Sequence, residues 1–173
     1  MGKVSEQIQA LRIDYIHGTL ETASVAAEPI AQFERWMNEA LEAEVPEANA
    51  IALATVSAEG QPSVRIVLLR GVDAEGFVWY TNYQSRKGRD LADCPKAAFS
   101  LFWPELERQI RVEGTVEQVP AEMSDAYFAQ RPRKSQIGAC ASPQSSVIAD
   151  RGELEAAVEA RTAEFESGEV ARP

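Results

Sequence analysis

Ten consecutive residues, Arg131-Pro-Arg-Lys-Ser-Gln-Ile-Gly-Ala-Cys140, set three cations, a hydroxyl and an amide side by side. They follow the aromatic pair Tyr127-Phe128 and precede a second polar cluster, Ser142-Pro-Gln-Ser-Ser146. A planar guanidinium matches the oxygens of a phosphate in pairs, and a phenol such as Tyr127 can add a donor. This chemistry is anion binding. A second candidate is Tyr80-Thr-Asn-Tyr-Gln-Ser-Arg-Lys-Gly88, where an apolar strand gives way to a helix with Ser85 as its N-cap. The first N–H groups of a helix lack intrahelical partners and carry partial positive charge. Arg86 and Lys87 fall in that turn, so a phosphate there would gain backbone donors and two full charges. A third candidate is Arg65 with Arg70, five apart on one predicted strand. An odd separation points them to opposite faces unless a bulge or the strand end intervenes. They serve two different anions, or one is a surface residue.

The chain has 173 residues, 45% of them hydrophobic, enough for one domain with a real core. Its net charge of −10 makes it a poor candidate for nucleic acid or an anionic membrane surface, since both need a broad basic face. Any anion site must be built locally. Cys94 and Cys140 lack metal-ligand spacing and His17 is the single histidine, so we expect no metal site and two reduced thiols. No apolar run reaches membrane length and residues 1–5 do not read as a signal peptide, so the cytoplasm is the expected location.

Residues 1–27 read as a flexible N-terminal arm and 28–173 as the folded domain. Pro29 and the spacing of Ile30, Phe33, Met37, Ala40 and Leu41 predict a helix over Pro29–Ala43. Strands are predicted at Ala50–Ser57, Ser63–Arg70, Phe77–Asn82, Ala97–Trp103 and Arg108–Val119, with turns at 58–62 and 72–76. A short helix is expected at Ser85–Asp93, longer ones at Ala121–Gln130 and Arg151–Glu166, and a loop stiffened by Pro132 between the last two. Short turns between consecutive strands imply antiparallel pairing. The expected fold is mainly β with flanking helices, a small antiparallel barrel. Paired carboxylates, a glycine-rich phosphate loop and a nucleophile elbow are not found, so no catalytic side chain is identified. If the protein is an enzyme, a cofactor carries the reaction.

The residues reached so far resemble those of the pyridoxine/pyridoxamine 5′-phosphate oxidase family. The resemblance rests on Arg12-Ile-Asp-Tyr15, Phe33-Glu-Arg-Trp36, Arg65-Ile-Val-Leu-Leu-Arg70, Tyr80-Thr-Asn82, Ser85-Arg-Lys87, Leu106-Glu-Arg-Gln109, Arg131-Pro-Arg133, Ser135-Gln-Ile-Gly138 and Gln144-Ser-Ser146, in this order. It implies an FMN-binding split β-barrel that works as a homodimer with flavin at the subunit interface. It also implies oxidation of pyridoxamine or pyridoxine 5′-phosphate to pyridoxal 5′-phosphate. A hydride would pass from the substrate's C4′ carbon to flavin N5, and O2 would reoxidise the flavin to give hydrogen peroxide. Arg65, Tyr80, Thr81, Arg86, Lys87, Gln109, Gln144 and Ser145 match FMN contacts. So does the stretch Ile66, Val67, Leu68, Leu69 and Arg70. Arg70, Tyr127, Arg131 and Ser135 match contacts to the substrate phosphate, and Arg12 and Tyr15 match a segment that closes over the substrate.

Two departures stand out. The family usually has Lys where this chain has Arg70, which keeps the charge and enlarges the head. The sequence also stops at Gly168-Glu-Val-Ala-Arg-Pro173. There the family continues with a tryptophan-containing strand and an Arg-Leu-His segment that contact flavin and substrate ring. These departures keep two alternatives open. One is another split-barrel flavin oxidoreductase, of the phenazine-oxidase or flavin-reductase type. The other is a non-catalytic protein that binds FMN or a B6 vitamer.

Overall fold

The computed structural model describes residues 2–12, 14 and 19–173. Five strands form one antiparallel sheet: β1 (Ala50–Val56), β2 (Pro62–Asp73), β3 (Gly76–Trp79), β4 (Lys96–Trp103) and β5 (Arg108–Thr115). Their order across the sheet is β3-β2-β1-β4-β5, curled into a half-barrel with helices around it. The expected antiparallel barrel class is therefore the observed one.

Alternation along β1 and β4 explains the layering. Ile51 and Leu53 of β1 and Phe99, Leu101 and Trp103 of β4 point to one face and are buried. Helix α2 (Pro29–Glu42) covers that face with Phe33 and Ala40. Phe77 meets Phe33 edge-on at 4.8 Å and Phe99 at 5.2 Å, and the Trp103 indole donates to the Ala48 carbonyl at 2.9 Å. Among the described residues the opposite face has no such cover. Val64 and Ile66 of β2 and Phe102 of β4 stand 68%, 67% and 60% exposed there.

A second, smaller core joins α4 (Ala121–Ala129), α5 (Arg133–Ala141) and α6 (Arg151–Glu164) to the C-terminal segment through Phe128, Ile137 and Val170. Helix α5 departs from the expected loop. Pro132 is its N-cap and accepts from the Ser135 and Gln136 amides, a position that needs no proline N–H. The basic decapeptide therefore opens a helix, and its cations are dispersed. Arg133 donates to the Gly168 and Phe165 carbonyls and ties down the C-terminal segment. Lys134 is exposed.

Other boundaries shift in ways that matter to the site. β2 runs on through Asp73, whose carboxylate accepts from the Glu75 and Gly76 amides and closes a tight hairpin. β3 stops at Trp79 rather than Asn82, which releases Tyr80 from the ladder. β5 ends at Thr115. The N-terminal arm carries helix α1 (Lys3–Ala10), none of whose residues is buried, and a 3₁₀ turn at Thr22–Ser24 held by the Arg35 guanidinium. Among the described residues no helix is long and apolar enough to cross a membrane.

Helix α3 (Arg86–Asp93) starts where sequence predicts, with the Ser85 hydroxyl accepting from the Gly88 amide. A Cβ at Gly88 would overlap the Tyr83 carbonyl oxygen and lie 2.7 Å from the Tyr83 Cα. The turn before α3 thus packs directly on a glycine. Gly88→Ala should cost about 1–3 kcal/mol of stability in urea unfolding. A loss below about 0.5 kcal/mol would mean that this turn yields freely.

Candidate functional site

β2 pairs with β1 along its first half and with β3 only from Leu69 onward, so residues 62–68 keep one edge free. A cavity of about 550 Å³ lies along that edge. Its floor is the β2 stretch from Ser63 to Leu68, and its walls come from α3, from Tyr80 and Tyr127, and from the 144–145 loop.

One end is cationic. Arg65, Arg86 and Lys87 line it together with Gln144 and Ser145. Lys87 is only 7% exposed, and its ammonium donates to Gln144 Oε1 at 3.0 Å and to Ser85 Oγ at 3.4 Å. Burial pushes its pKa below the usual lysine range, and the nearby Arg65 pushes the same way. Ser145 holds its backbone in the left-handed region at φ 66°, an uncommon state for a non-glycine residue. Arg65 is anchored from behind. Its Nη1 donates to Leu53 O at 3.1 Å and to Thr55 Oγ1 at 2.8 Å, and its Nη2 donates to Ser63 Oγ. Burial lowers its pKa, Asp90 opposes the shift and Arg86 adds to it. Three of the five guanidinium donors are spent this way; among the described residues the other two are left to meet a ligand.

The other end is aromatic. Tyr80 and Tyr127 stack with ring centroids 3.7 Å apart and planes 5° from parallel. The Arg70 guanidinium lies 5.9 Å from the Tyr127 ring centre. Burial raises the Tyr80 pKa, and Tyr127 adds to the rise, so the phenol keeps its proton and can donate. Arg70 lines the cavity at the point where the β2–β3 register slips between Leu69 and Gly71. The extra residue of that bulge is Arg70, which resets the alternation. Arg65 is half-buried and Arg70 is exposed like Val64 and Ile66; both line this one cavity, which takes residues from both faces of β2, about 16 Å apart along the strand.

Of the expected cofactor contacts, Arg65, Ile66, Val67, Leu68, Arg70, Tyr80, Arg86, Lys87, Gln144 and Ser145 meet at this cavity. Leu69 does not; it is 6% exposed within the main core. Thr81 is half-buried beyond the lining. Gln109 lies on β5, exposed, opposite Phe102 on the uncovered face, with β1 and β4 between it and β2. Of the expected substrate contacts among the described residues, Arg70 and Tyr127 line the cavity. The Arg131 guanidinium sits 5.7 Å from the Phe128 ring centre, and Ser135 is half-buried in the first turn of α5. Arg12 is exposed and donates to Gln9 O at 3.4 Å, and Tyr15 lies outside the described residues. Arg89, two residues beyond Lys87 on α3, turns back and donates to the Gln84 carbonyl.

Sequence reasoning missed the support behind Arg65. Asp90, 5% exposed, accepts from Thr55 Oγ1 at 2.6 Å and from Ser63 Oγ at 3.2 Å. Two signals were present: Ser63 and Arg65 share a strand face, and Asp90 follows Lys87 by three on one helix face.

The antiparallel half-barrel and its cation-ended cavity place this chain among the split-barrel proteins. It belongs to the pyridoxamine 5′-phosphate oxidase family, whose model matches residues 37–163. A pyridoxine/pyridoxamine 5′-phosphate oxidase of Burkholderia multivorans is 60% identical over 146 residues, covering 84% of this chain and 68% of the relative. One from Methylibium petroleiphilum is 55% identical over 147 residues, covering 85% and 69%. Among solved structures, PhzG of Burkholderia lata bound to tetrahydrophenazine-1-carboxylic acid matches with a TM-score of 0.83 at 30% identity, over 90% of this chain and 77% of that one. A pyridoxamine 5′-phosphate oxidase-related, FMN-binding protein of Nostoc punctiforme shares the fold at a TM-score of 0.56 and 19% identity, over 76% and 73%.

Lys87 generates a test that needs no ligand. Its charged form is disfavoured in the fold, so the free protein carries a penalty at neutral pH. That penalty is relieved as pH climbs through the depressed folded pKa toward the unfolded value of about 10.4. Lys87→Met should therefore stabilise the free protein by about 0.5–2 kcal/mol at neutral pH. The gap to wild type should close as the pH of thermal unfolding approaches about 10. A variant less stable than wild type throughout would show that the Gln144 bond outweighs the burial cost.

Proposed function

We infer that this protein is an FMN-dependent oxidase of pyridoxamine or pyridoxine 5′-phosphate. The observation that carries the reading is a single cavity with a cationic end at Arg65, Arg86 and Lys87 and a separate arginine, Arg70, beside stacked tyrosines at the other. The residues suit FMN. A cavity of 550 Å³ lies within the range of about 300–1,000 Å³ that takes a cofactor-sized molecule. Ile66, Val67 and Leu68 offer an apolar wall, and the free edge of β2 offers backbone donors and acceptors.

In this reading Arg65, Arg86 and Lys87 hold the FMN phosphate while Gln144 fixes the lysine. Arg70 and Tyr127 take the substrate phosphate, with Arg131 and Ser135 joining from the α4–α5 corner and Arg12 and Tyr15 closing from the N-terminal segment. When bound, FMN would accept a hydride from substrate C4′ and pass the electrons to O2. With the amine substrate the overall change is pyridoxamine 5′-phosphate, O2 and water to pyridoxal 5′-phosphate, ammonia and hydrogen peroxide. The chain's part is to bind both phosphates, to orient the rings and to exclude water.

We further infer a homodimer. The uncovered face carries Val64, Ile66 and Phe102, and Gln109 lies on it, far from the cavity of its own chain. A partner docked there would bring its Gln109 toward this cavity and complete the flavin site between two subunits. A monomer in sedimentation of the flavin-loaded protein would remove the dimer from the reading.

A second reading is favoured by the likeness to PhzG, namely that this cavity takes a reduced phenazine-type carboxylate. One assay separates the two. Supplied with FMN and pyridoxamine 5′-phosphate, the protein should consume O2 and release pyridoxal 5′-phosphate and hydrogen peroxide in equal amounts. Bound flavin with no turnover of either phosphorylated vitamer would refute the first reading, and oxidation of a tetrahydrophenazine carboxylate would establish the second.

A further inference from the structure

The cation cluster contains a carboxylate that the reading above does not use. Asp90, on α3, is 5% exposed and faces inward beneath Arg65. Its Oδ2 accepts from the hydroxyls of Thr55 at 2.6 Å and Ser63 at 3.2 Å. Both hydroxyls in turn accept from the Arg65 guanidinium. The direct separation of Arg65 Nη2 and Asp90 Oδ2 is 3.8 Å, longer than a hydrogen bond, so the pair is joined mainly through the hydroxyls. The register of the sheet builds this arrangement. Thr55 pairs with Ser63 and Leu53 with Arg65, so the Leu53 carbonyl, both hydroxyls and the guanidinium share one patch.

We propose that Asp90 is a positioning residue for the phosphate end of the cavity, setting the orientation of Arg65 through Thr55 and Ser63. Arginine has several rotatable bonds and, beside Arg86 and Lys87, would be driven outward by repulsion. The two hydroxyls each have one proton to give and lone pairs to receive. The carboxylate takes their protons, which turns their lone pairs toward the guanidinium. Arg65 is thereby pinned with its remaining donors in place before any ligand arrives, and pre-organisation of this kind raises affinity. The charge balance agrees. Three cations and one carboxylate leave two positive charges in excess, close to the charge of about −1.5 to −2 on a phosphate monoester at neutral pH.

Positioning and simple charge make opposite predictions. Asp90→Asn removes a negative charge next to an anion site, so a purely electrostatic role predicts tighter FMN binding. A positioning role predicts weaker binding, because a neutral amide oxygen holds the two hydroxyl protons less firmly than a carboxylate does. This inference rests on the FMN reading, and riboflavin, which lacks the phosphate, separates the two. Wild-type protein should bind FMN far more tightly than riboflavin by flavin fluorescence quenching; equal affinities would sink the phosphate reading itself. Given that preference, Asp90→Asn should weaken FMN about tenfold and leave riboflavin within about twofold. In an Arg65→Met background the Asp90→Asn loss should vanish, since the carboxylate acts through that arginine. Unchanged or tighter FMN binding, an equal loss for riboflavin, or a loss that persists without Arg65 would each overturn the proposal. If Asp90→Asn does not fold, Thr55→Val removes one bridge at nearly constant volume. It should show the same FMN-only loss, and the same three results would count against the proposal.

Discussion

Like charges gathered at the end of one partly buried cavity set the terms for this molecule. Lys87 is almost fully buried, Arg65 is largely so, and Arg86 joins them at one end of a single cavity. Such a group is unfavourable unless bonds hold it in place and an anion is expected. The surrounding structure supplies those bonds. Ser85 caps α3 and also touches the Lys87 ammonium; Gln144 arrives from a loop with a left-handed residue beside it; Thr55, Ser63 and the Leu53 carbonyl grip Arg65. The whole protein is strongly acidic, so attraction at long range does not help an anion arrive. Affinity has to come from the local arrangement.

The sheet explains where that arrangement can exist. A strand with both edges paired offers a ligand only side chains, whereas the first half of β2 offers backbone as well. β3 covers only the second half, and the bulge at Arg70 marks the change. The cavity draws on both faces of that strand, which is how Arg65 and Arg70 both come to line it. The uncovered sheet face follows from the same economy of cover. Helix α2 shields one side, and Val64, Ile66 and Phe102 on the other are apolar residues whose burial a second subunit would provide.

Much of this was legible in the residues. The strands alternate cleanly, so their positions and their antiparallel pairing could be read, and Ser85 marked the start of α3. The cluster of Arg65, Arg86, Lys87, Gln144 and Ser145 could be assembled from the family resemblance, and the cavity brings them together. What could not be read depended on three dimensions. Alternation alone does not announce that one cavity takes residues from both faces of β2, so Arg65 and Arg70 looked unable to share a site. Helix α5 hid behind Pro132 and Gly138, both poor helix residues in isolation, so the basic decapeptide looked like one anion site. Its cations in fact part company, Arg131 toward Phe128 and Arg133 toward the C-terminal segment. Asp90 was overlooked because a single acidic residue on a basic helix reads as a solvent-facing charge until the register of β1 and β2 is known.

The account stands or falls on whether a phosphate sits against those cations. The ³¹P resonance of FMN bound to the protein, followed from about pH 5 to pH 8, reports this directly. A free phosphate monoester titrates near pH 6. Clamped by Arg65, Arg86 and Lys87 the dianion is favoured and its pKa falls, so the bound signal should stay at the dianion position across the range. A bound signal that moves with a midpoint near 6, as in free FMN, would place the phosphate in solvent and contradict the account.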